Sequence, residues 1–258
     1  MRTTIITGAG SGMGRALASL LRARGERVVG IDLVNIDPAG DDIACDLSDP
    51  AARAALVARL LDGEERIDAV VTCAGVSAPA PGSRVIAVNY FATVRLLEGL
   101  LPRLQQSSAP RALAVSSIAS LLPFDAALVG LCHAGEEAAA CAMGELDASL
   151  AYRSSKRALT AWVRRTASSP EWAGRGVLLN GVSPGTVRTP LANHTLATPE
   201  GRAAIARNVP IALADYAEPE DLAPIMAFMV SAQNRYMVGQ VPFVDGGSDV
   251  LMRGDGPL

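Results

Sequence analysis

At 258 residues, half of them apolar and 24 of them glycine, the chain lies near the upper limit for one hydrophobic core, so a single domain spanning 1–258 is expected. A formal net charge of −3 with scattered arginines excludes a phosphate-tracking stripe and hence a nucleic-acid partner. The first strand-like run begins almost at Met1 and no apolar run looks long enough to cross a bilayer, which predicts a cytoplasmic protein without a membrane partner.

Short β-branched runs alternate with longer Ala/Leu/Arg stretches of helical period, the pattern of an α/β, doubly wound parallel sheet of about seven strands with helices on both faces. The first strand, 3–7, runs into Thr7-Gly8-Ala9-Gly10-Ser11-Gly12-Met13-Gly14, which opens a helix over 12–24. Glycines there let backbone approach a pyrophosphate, and the helix N-terminus offers its charge free N–H groups. The second strand, 27–32, ends in Asp32, 18 residues past Gly14 (32 − 14). That spacing suits the acid that binds an adenosine ribose diol. Asp32 would repel a 2′-phosphate, and neither Ser11 nor Leu33 supplies a cation for one, so NAD is the expected cofactor.

Further strands are predicted at 42–45, 67–73, 111–117, 176–183 and 240–244, with helices over 49–62, 84–106, 150–168 and 219–232. Two segments break the alternation: 121–149, rich in Ala, Gly and Glu, and 188–216, a long connection carrying Pro190, Pro199 and Pro210. The single lysine of the chain, Lys156, stands four residues after Tyr152. A compact ammonium retained among arginines points to chemistry, because a guanidinium fork cannot replace it. At i and i+4 the two side chains share a helix face, so the ammonium can stabilise a phenolate. Cys45, Cys73, Cys132 and Cys141 lack zinc-site spacing and imply reduced, mostly buried thiols. His133 and His194 have no partners at ligand spacing, so no metal is expected. Hydrolysis by a Ser/His/Asp set would need a nucleophile elbow that the sequence lacks.

Thr7-Gly8-x-x-x-Gly12-x-Gly14, Cys73-Ala74-Gly75, Asn89, Ser116-Ser117, Tyr152-x-x-x-Lys156, Pro184-Gly185-x-Val187-x-Thr189 and Asp245-Gly246-Gly247, in that order, resemble a classical short-chain dehydrogenase/reductase over essentially the whole chain. The resemblance implies a Rossmann-like fold and assigns roles. Tyr152 is the proton donor and acceptor, Ser117 holds the substrate oxygen, Lys156 supplies charge near the tyrosine and the nicotinamide ribose, and Asn89 belongs to a proton relay. On the cofactor side it implies Gly8, Ser11, Gly12, Met13 and Gly14 at the glycine turn, Asp32, and Asp46 with Leu47 near the adenine. Cys73, Ala74 and Gly75 follow at the fourth strand, then Tyr152 and Lys156, then Pro184 and Gly185, with Val187 and Thr189 at the carboxamide.

Two departures stand out. Cys73 occupies a position where the family commonly has asparagine, and 35 positions separate Ser117 from Tyr152 (152 − 117) where the family has roughly a dozen. The segment 121–149 therefore reads as an insert before the tyrosine helix. This insert, Asn89-Tyr90-Phe91 and Leu251-Met252-Arg253 are similar to bacterial 3α-hydroxysteroid dehydrogenase/carbonyl reductases, with coniferyl-alcohol dehydrogenases as competing relatives. The expected activity is interconversion of a bulky, largely apolar secondary alcohol and ketone. Leu121, Leu122, Phe124, Leu191, Leu196, Val209 and Ile211 are expected near the nicotinamide, His194 is a candidate substrate contact, and 188–216 is expected to act as a lid. A non-catalytic dinucleotide sensor is a different class, and intact Asn89, Ser117, Tyr152 and Lys156 argue against it. A sugar-nucleotide epimerase or dehydratase would need a substrate domain for which 258 residues leave no room. The insert is expected to alter subunit contact and to favour a homodimer over a tetramer.

Overall fold

The structure, a computed structural model, describes residues 1–34, 36–37 and 40–256. Among these, β1 (Thr3–Thr7), β2 (Arg27–Asp32), β3 (Ile43–Ala44), β4 (Ala69–Thr72), β5 (Arg111–Val115), β6 (Leu178–Pro184) and β7 (Phe243–Val244) form one sheet in the order β3-β2-β1-β4-β5-β6-β7. Every pairing in it is parallel. The seven predicted strands are all present, several of them shorter where the apolar run passes into a turn.

The helices are α1 (Gly12–Ala23), α2 (Pro50–Gly63), α3 (Gly82–Ile86), α4 (Thr93–Leu104), α5 (Ala126–Ala134), α6 (Glu137–Gly144), α7 (Ala148–Thr166), α8 (Pro190–Leu196), α9 (Pro199–Asn208), α10 (Pro219–Val230) and α11 (Ser248–Arg253). Period-two alternation sends neighbouring strand residues to opposite faces, each with its own core. Ile5, Val29 and Val70 pack with Leu97, Leu159 and Trp162 on one side. Ile6, Val28 and Val71 pack with Leu17, Leu222 and Met226 on the other. Strand order reverses between β1 and β4, which opens a crevice at the carboxyl ends of the strands.

Helices α3 and α4 are one continuous helix, Gly82–Leu104, joined through a wider π segment at Ala87–Ala92. That helix is long and apolar enough to cross a membrane, contrary to the expectation from the sequence. Here its apolarity serves the core, since Val85, Ile86, Leu96, Leu97 and Leu100 are fully buried.

The insert is helical. Asp125 accepts from the N–H groups of Ala127 and Leu128 to start α5, and Gly135 ends it in the left-handed region at φ +79°. The connection 188–216 carries α8 and α9, each opened by a proline and neither containing a buried residue. Its base is closed by a parallel bridge between Val187 and Ala217. The thiols are unpaired, but Cys132 alone is buried; Cys45, Cys73 and Cys141 are half-buried at the margins of the two cores, Cys45 and Cys73 where the cores open onto a cleft at the strand ends.

Candidate active site

The carboxyl ends of the strands line up along one cleft of about 300 Å³. Sheet order sets the sequence of chemistry along it: Asp46 beyond β3, Asp32 on β2, Gly8 beyond β1, Gly75 beyond β4, Ser116 and Ser117 beyond β5, and Thr189 beyond β6.

At the glycine turn the geometry leaves no room for side chains. A Cβ on Gly14 would fall 2.1 Å from the Gly8 carbonyl oxygen, and one on Gly8, at φ +69°, 2.9 Å from the Ala74 backbone. Gly12, at φ +50°, lies against the Thr189 methyl, where a Cβ would come to 3.0 Å. Ser11, at the N-cap of α1, makes no side-chain cap bond, and the first turn has no acid. With no acid in that turn and no side-chain cap, the start of α1 offers its N–H groups and the helix dipole to an anion in the cleft, as a pyrophosphate requires. Thr7 Oγ1 accepts from the N–H groups of Cys73 at 3.1 Å and Ala74 at 3.0 Å, tying β1 to β4 at the crevice. Burial pushes the Cys73 thiol up to about 12, so it stands there as a neutral side chain.

Asp32 Oδ2 accepts from Gly10 N at 2.9 Å and Oδ1 from Leu33 N at 2.7 Å, which fixes the carboxylate at the cleft wall. Asp46 is held by the backbone and hydroxyl of Ser48, at 2.9 and 2.7 Å, and by Arg84 Nη2 at 3.2 Å. Those hydrogen bonds, Ser48 first and then the Arg84 charge, lower its pKa and keep it ionised.

At the other end α7 presents Tyr152 and Lys156. The Lys156 ammonium lies 5.8 Å from the tyrosine ring centroid and donates to the Val115 carbonyl at 2.8 Å. Burial lowers its pKa to about 8. Burial likewise raises the Tyr152 phenol, while a hydrogen bond with Ser117 acts the other way. Ser117 Oγ also accepts from Ala119 N at 3.1 Å, capping the 3₁₀ turn that follows β5. Asn89 sits in the π segment, fully buried; its Oδ1 accepts from Val76 N at 2.8 Å and its Nδ2 donates to Val76 O at 2.9 Å and Ser155 Oγ at 3.4 Å. Asn89 and Lys156 converge on Gly75, where a Cβ would lie 3.4 Å from Asn89 Oδ1 and 3.8 Å from Lys156 Nζ.

Of the residues singled out in the sequence, Gly8, Ser11, Met13, Gly14, Asp32, Asp46, Leu47, Cys73, Ala74, Gly75, Tyr152, Lys156 and Thr189 line the cleft. Gly12, Asn89, Ser117, Pro184, Gly185 and Val187 do not form its wall. Gly12 underlies Thr189, and Gly185 lets β6 pass Asp245, whose Cα a Cβ would meet at 2.7 Å. Arg84, Val88 and Cys45 line the cleft without having been foreseen. An arginine near a helix start has no local motif, and only its meeting with Asp46 across 38 positions marks it.

The expected apolar wall is largely elsewhere. Leu191 reaches the cleft, but Leu121 lines a separate groove beside Arg157, Phe124 stacks under the Arg157 guanidinium, and Ile211 packs where a Gly246 Cβ would be. His194 is exposed on α8 and outside the cleft wall. His133 bridges the insert to α7: Arg165 donates to Nδ1 at 3.0 Å, so Nε2 carries the proton and donates to the Ala158 carbonyl at 3.0 Å.

Comparison with known proteins agrees with this geometry. A family model described as enoyl-(acyl carrier protein) reductase matches residues 8–249. The 3α-hydroxysteroid dehydrogenase/carbonyl reductase of Comamonas testosteroni is 36% identical over 98% of this chain and 98% of its own length. The 3α-hydroxysteroid dehydrogenase from Pseudomonas sp. B-0831, solved in complex with NADH, is 40% identical and superposes with a TM-score of 0.90 over 99% of this chain and 100% of that one. A coniferyl-alcohol dehydrogenase from Pseudomonas sp. strain HR199 is 29% identical over 94% of each chain.

Proposed function

The chain belongs to the short-chain dehydrogenase/reductase family of oxidoreductases, and we propose that it interconverts a bulky, largely apolar secondary alcohol and its ketone with NAD, as a 3α-hydroxysteroid dehydrogenase/carbonyl reductase. The observation that carries this reading is the joint placement of Tyr152 and Lys156, with Ser117 hydrogen-bonded to the tyrosine from behind the wall, at one end of a cleft whose other end holds Asp32 and Asp46. When bound, NAD supplies the two-electron redox chemistry by exchanging a hydride with the carbinol carbon.

In this reading the glycine turn and the N-terminus of α1 hold the pyrophosphate, Asp32 accepts from the adenosine ribose diol, and Asp46 faces the adenine. Pro184, Gly185 and Val187 shape the approach of Thr189 to the carboxamide. For oxidation, the Tyr152 phenolate takes the alcohol proton as the hydride leaves, and in reduction the phenol returns it. Lys156 offsets the burial that disfavours the phenolate, while Ser117 orients the substrate oxygen. Asn89 anchors Val76 to the tyrosine helix and supports the proton path beside Lys156. The lid is 188–216, tied at its base and free of buried residues along its helices. It brings Leu191 over the cleft and excludes water on closing. Four unpaired thiols fit a reducing cytoplasm.

The test is Tyr152→Phe. Turnover should fall by about 10²–10⁴-fold while NAD affinity by calorimetry stays near wild type, since only the phenolic proton is lost. Near-native turnover would sink the assignment. Steady-state rates across steroid, aryl, allylic and alicyclic alcohols set the substrate class. A best kcat/KM for coniferyl-type alcohols would move the reading to that class, and no turnover with any member would indicate a dinucleotide sensor.

A further inference from the structure

Arg53 on α2 is 3% exposed, an expensive place for a guanidinium unless its donors and its charge are both met. They are met by three groups from three segments. Nη1 donates to the carbonyls of Leu47 and Ala87, each at 3.2 Å, and Nη2 pairs with Glu137 Oε1 at 2.5 Å. Leu47 lies on the β3–α2 connection next to Asp46, and both line the cleft. Ala87 begins the π segment, next to cleft-lining Val88 and three residues after Arg84, which holds Asp46. One planar fork therefore joins the two walls of the Asp46 end, a geometry that an ammonium could not reproduce.

Glu137 is the first residue of α6, inside the insert. A second insert carboxylate works on the same wall: Glu145, just past the end of α6, accepts from Ser83 N at 2.9 Å in the first turn of α3. Between them Gly144 and Gly82 touch so closely that a Cβ on Gly82 would meet the Gly144 carbonyl oxygen at 1.9 Å. Helix α6 is thus anchored along α3, the segment that carries Arg84.

We propose that Arg53 and Glu137 are positioning residues for the adenine half of the cofactor, and that the insert thereby contributes to dinucleotide binding. This rests on the reading of the cleft as an NAD site. Removing the Glu137 charge leaves Arg53 ionised and underneutralised in the interior. Water or a rotated guanidinium then replaces one of the carbonyl contacts, and the two walls around Asp46 lose their mutual placement. Tyr152, Ser117 and Lys156 are held by other contacts and keep theirs.

The experiment compares wild type, Glu137→Gln and Arg53→Lys by calorimetric titration with NAD and with ADP-ribose, alongside kcat at saturating NAD and circular dichroism. The expected result for Glu137→Gln is a Kd about tenfold higher for both ligands, with kcat within about twofold of wild type. Arg53→Lys should follow it. Kd values within twofold of wild type would overturn the proposal, whatever happens to thermal stability. A parallel fall of kcat and affinity would overturn it too, because it would mean general loosening of the site. If Glu137→Gln does not fold, Glu137→Asp, which keeps the charge on a shorter stem, carries the same comparison. Failure of the wild type to bind NAD would instead refute the cofactor reading.

Discussion

Lys156 is 4% exposed, and burial lowers its pKa from 10.5 to about 8. Below pH 8 both folded and unfolded chains carry this charge, and the fold bears its desolvation. Between pH 8 and pH 10.5 the folded chain has released the proton while the unfolded chain still binds it, so this residue makes stability rise with pH. Lys156→Met removes the titration. Its stability relative to wild type, from urea unfolding at successive pH values, should therefore decline by about 1–3 kcal/mol across that window. A flat difference would mean that Lys156 titrates as in water. In the proposed reading, cofactor choice also rests on a single side chain. Asp32 is fixed by Gly10 and Leu33 N–H groups, ready to accept from a diol and to repel a phosphate dianion. Wild type should show higher kcat/KM for NAD than for NADP, and Asp32→Ala with Leu33→Arg should relax or invert the preference by removing the acid and adding a cation.

The helix Gly82–Leu104 widens into a π segment at Ala87–Ala92 that carries cleft-lining Val88 and Asn89 with its bonds to Val76 and Ser155. Its N-terminal end is gripped by α6, and the contact has no slack at Gly82. Gly82→Ala should cost on the order of 1–3 kcal/mol, because the added methyl meets a backbone carbonyl that must move. Gly130, inside α5, has nothing within 4 Å of its Cβ direction. Gly130→Ala should instead stabilise by roughly 0.5–1 kcal/mol through helix propensity. Melting temperatures of the two variants, moving in opposite directions, check both statements. The Ala-rich pattern of 121–149 did not announce α5 and α6 because short helices that are apolar or small on nearly every side have little contrast between their faces. Asp125 and Gly135, the caps of α5, are local signals that the sequence reading did not use.

At the scale of the molecule, the insert helices pack along α3 and α7 and so cover part of the tyrosine-helix face. With that surface occupied, a homodimer rather than a tetramer is expected, and static light scattering on the intact protein should report twice the chain mass; a tetramer would refute the insert as the determinant. The linear chain sufficed for whatever has a local physical signature. Short β-branched runs alternating with stretches of helical period placed the seven strands and the main helices, the glycine turn marked the junction of β1 and α1 at the cleft, and the Tyr152–Lys156 spacing placed two side chains on one helix face. What only the tertiary structure decided are the meetings of residues distant in sequence: Arg84 with Asp46, Arg53 with Glu137 across 84 positions, and Thr7 with the N–H groups of Cys73 and Ala74. It also decided that Leu191 faces the cleft while Leu121, Phe124 and Ile211 turn away. An ion pair or an apolar contact has no periodicity and no fixed spacing, so its partner is chosen by how the helices and connections pack around the sheet and not by the residues that flank it.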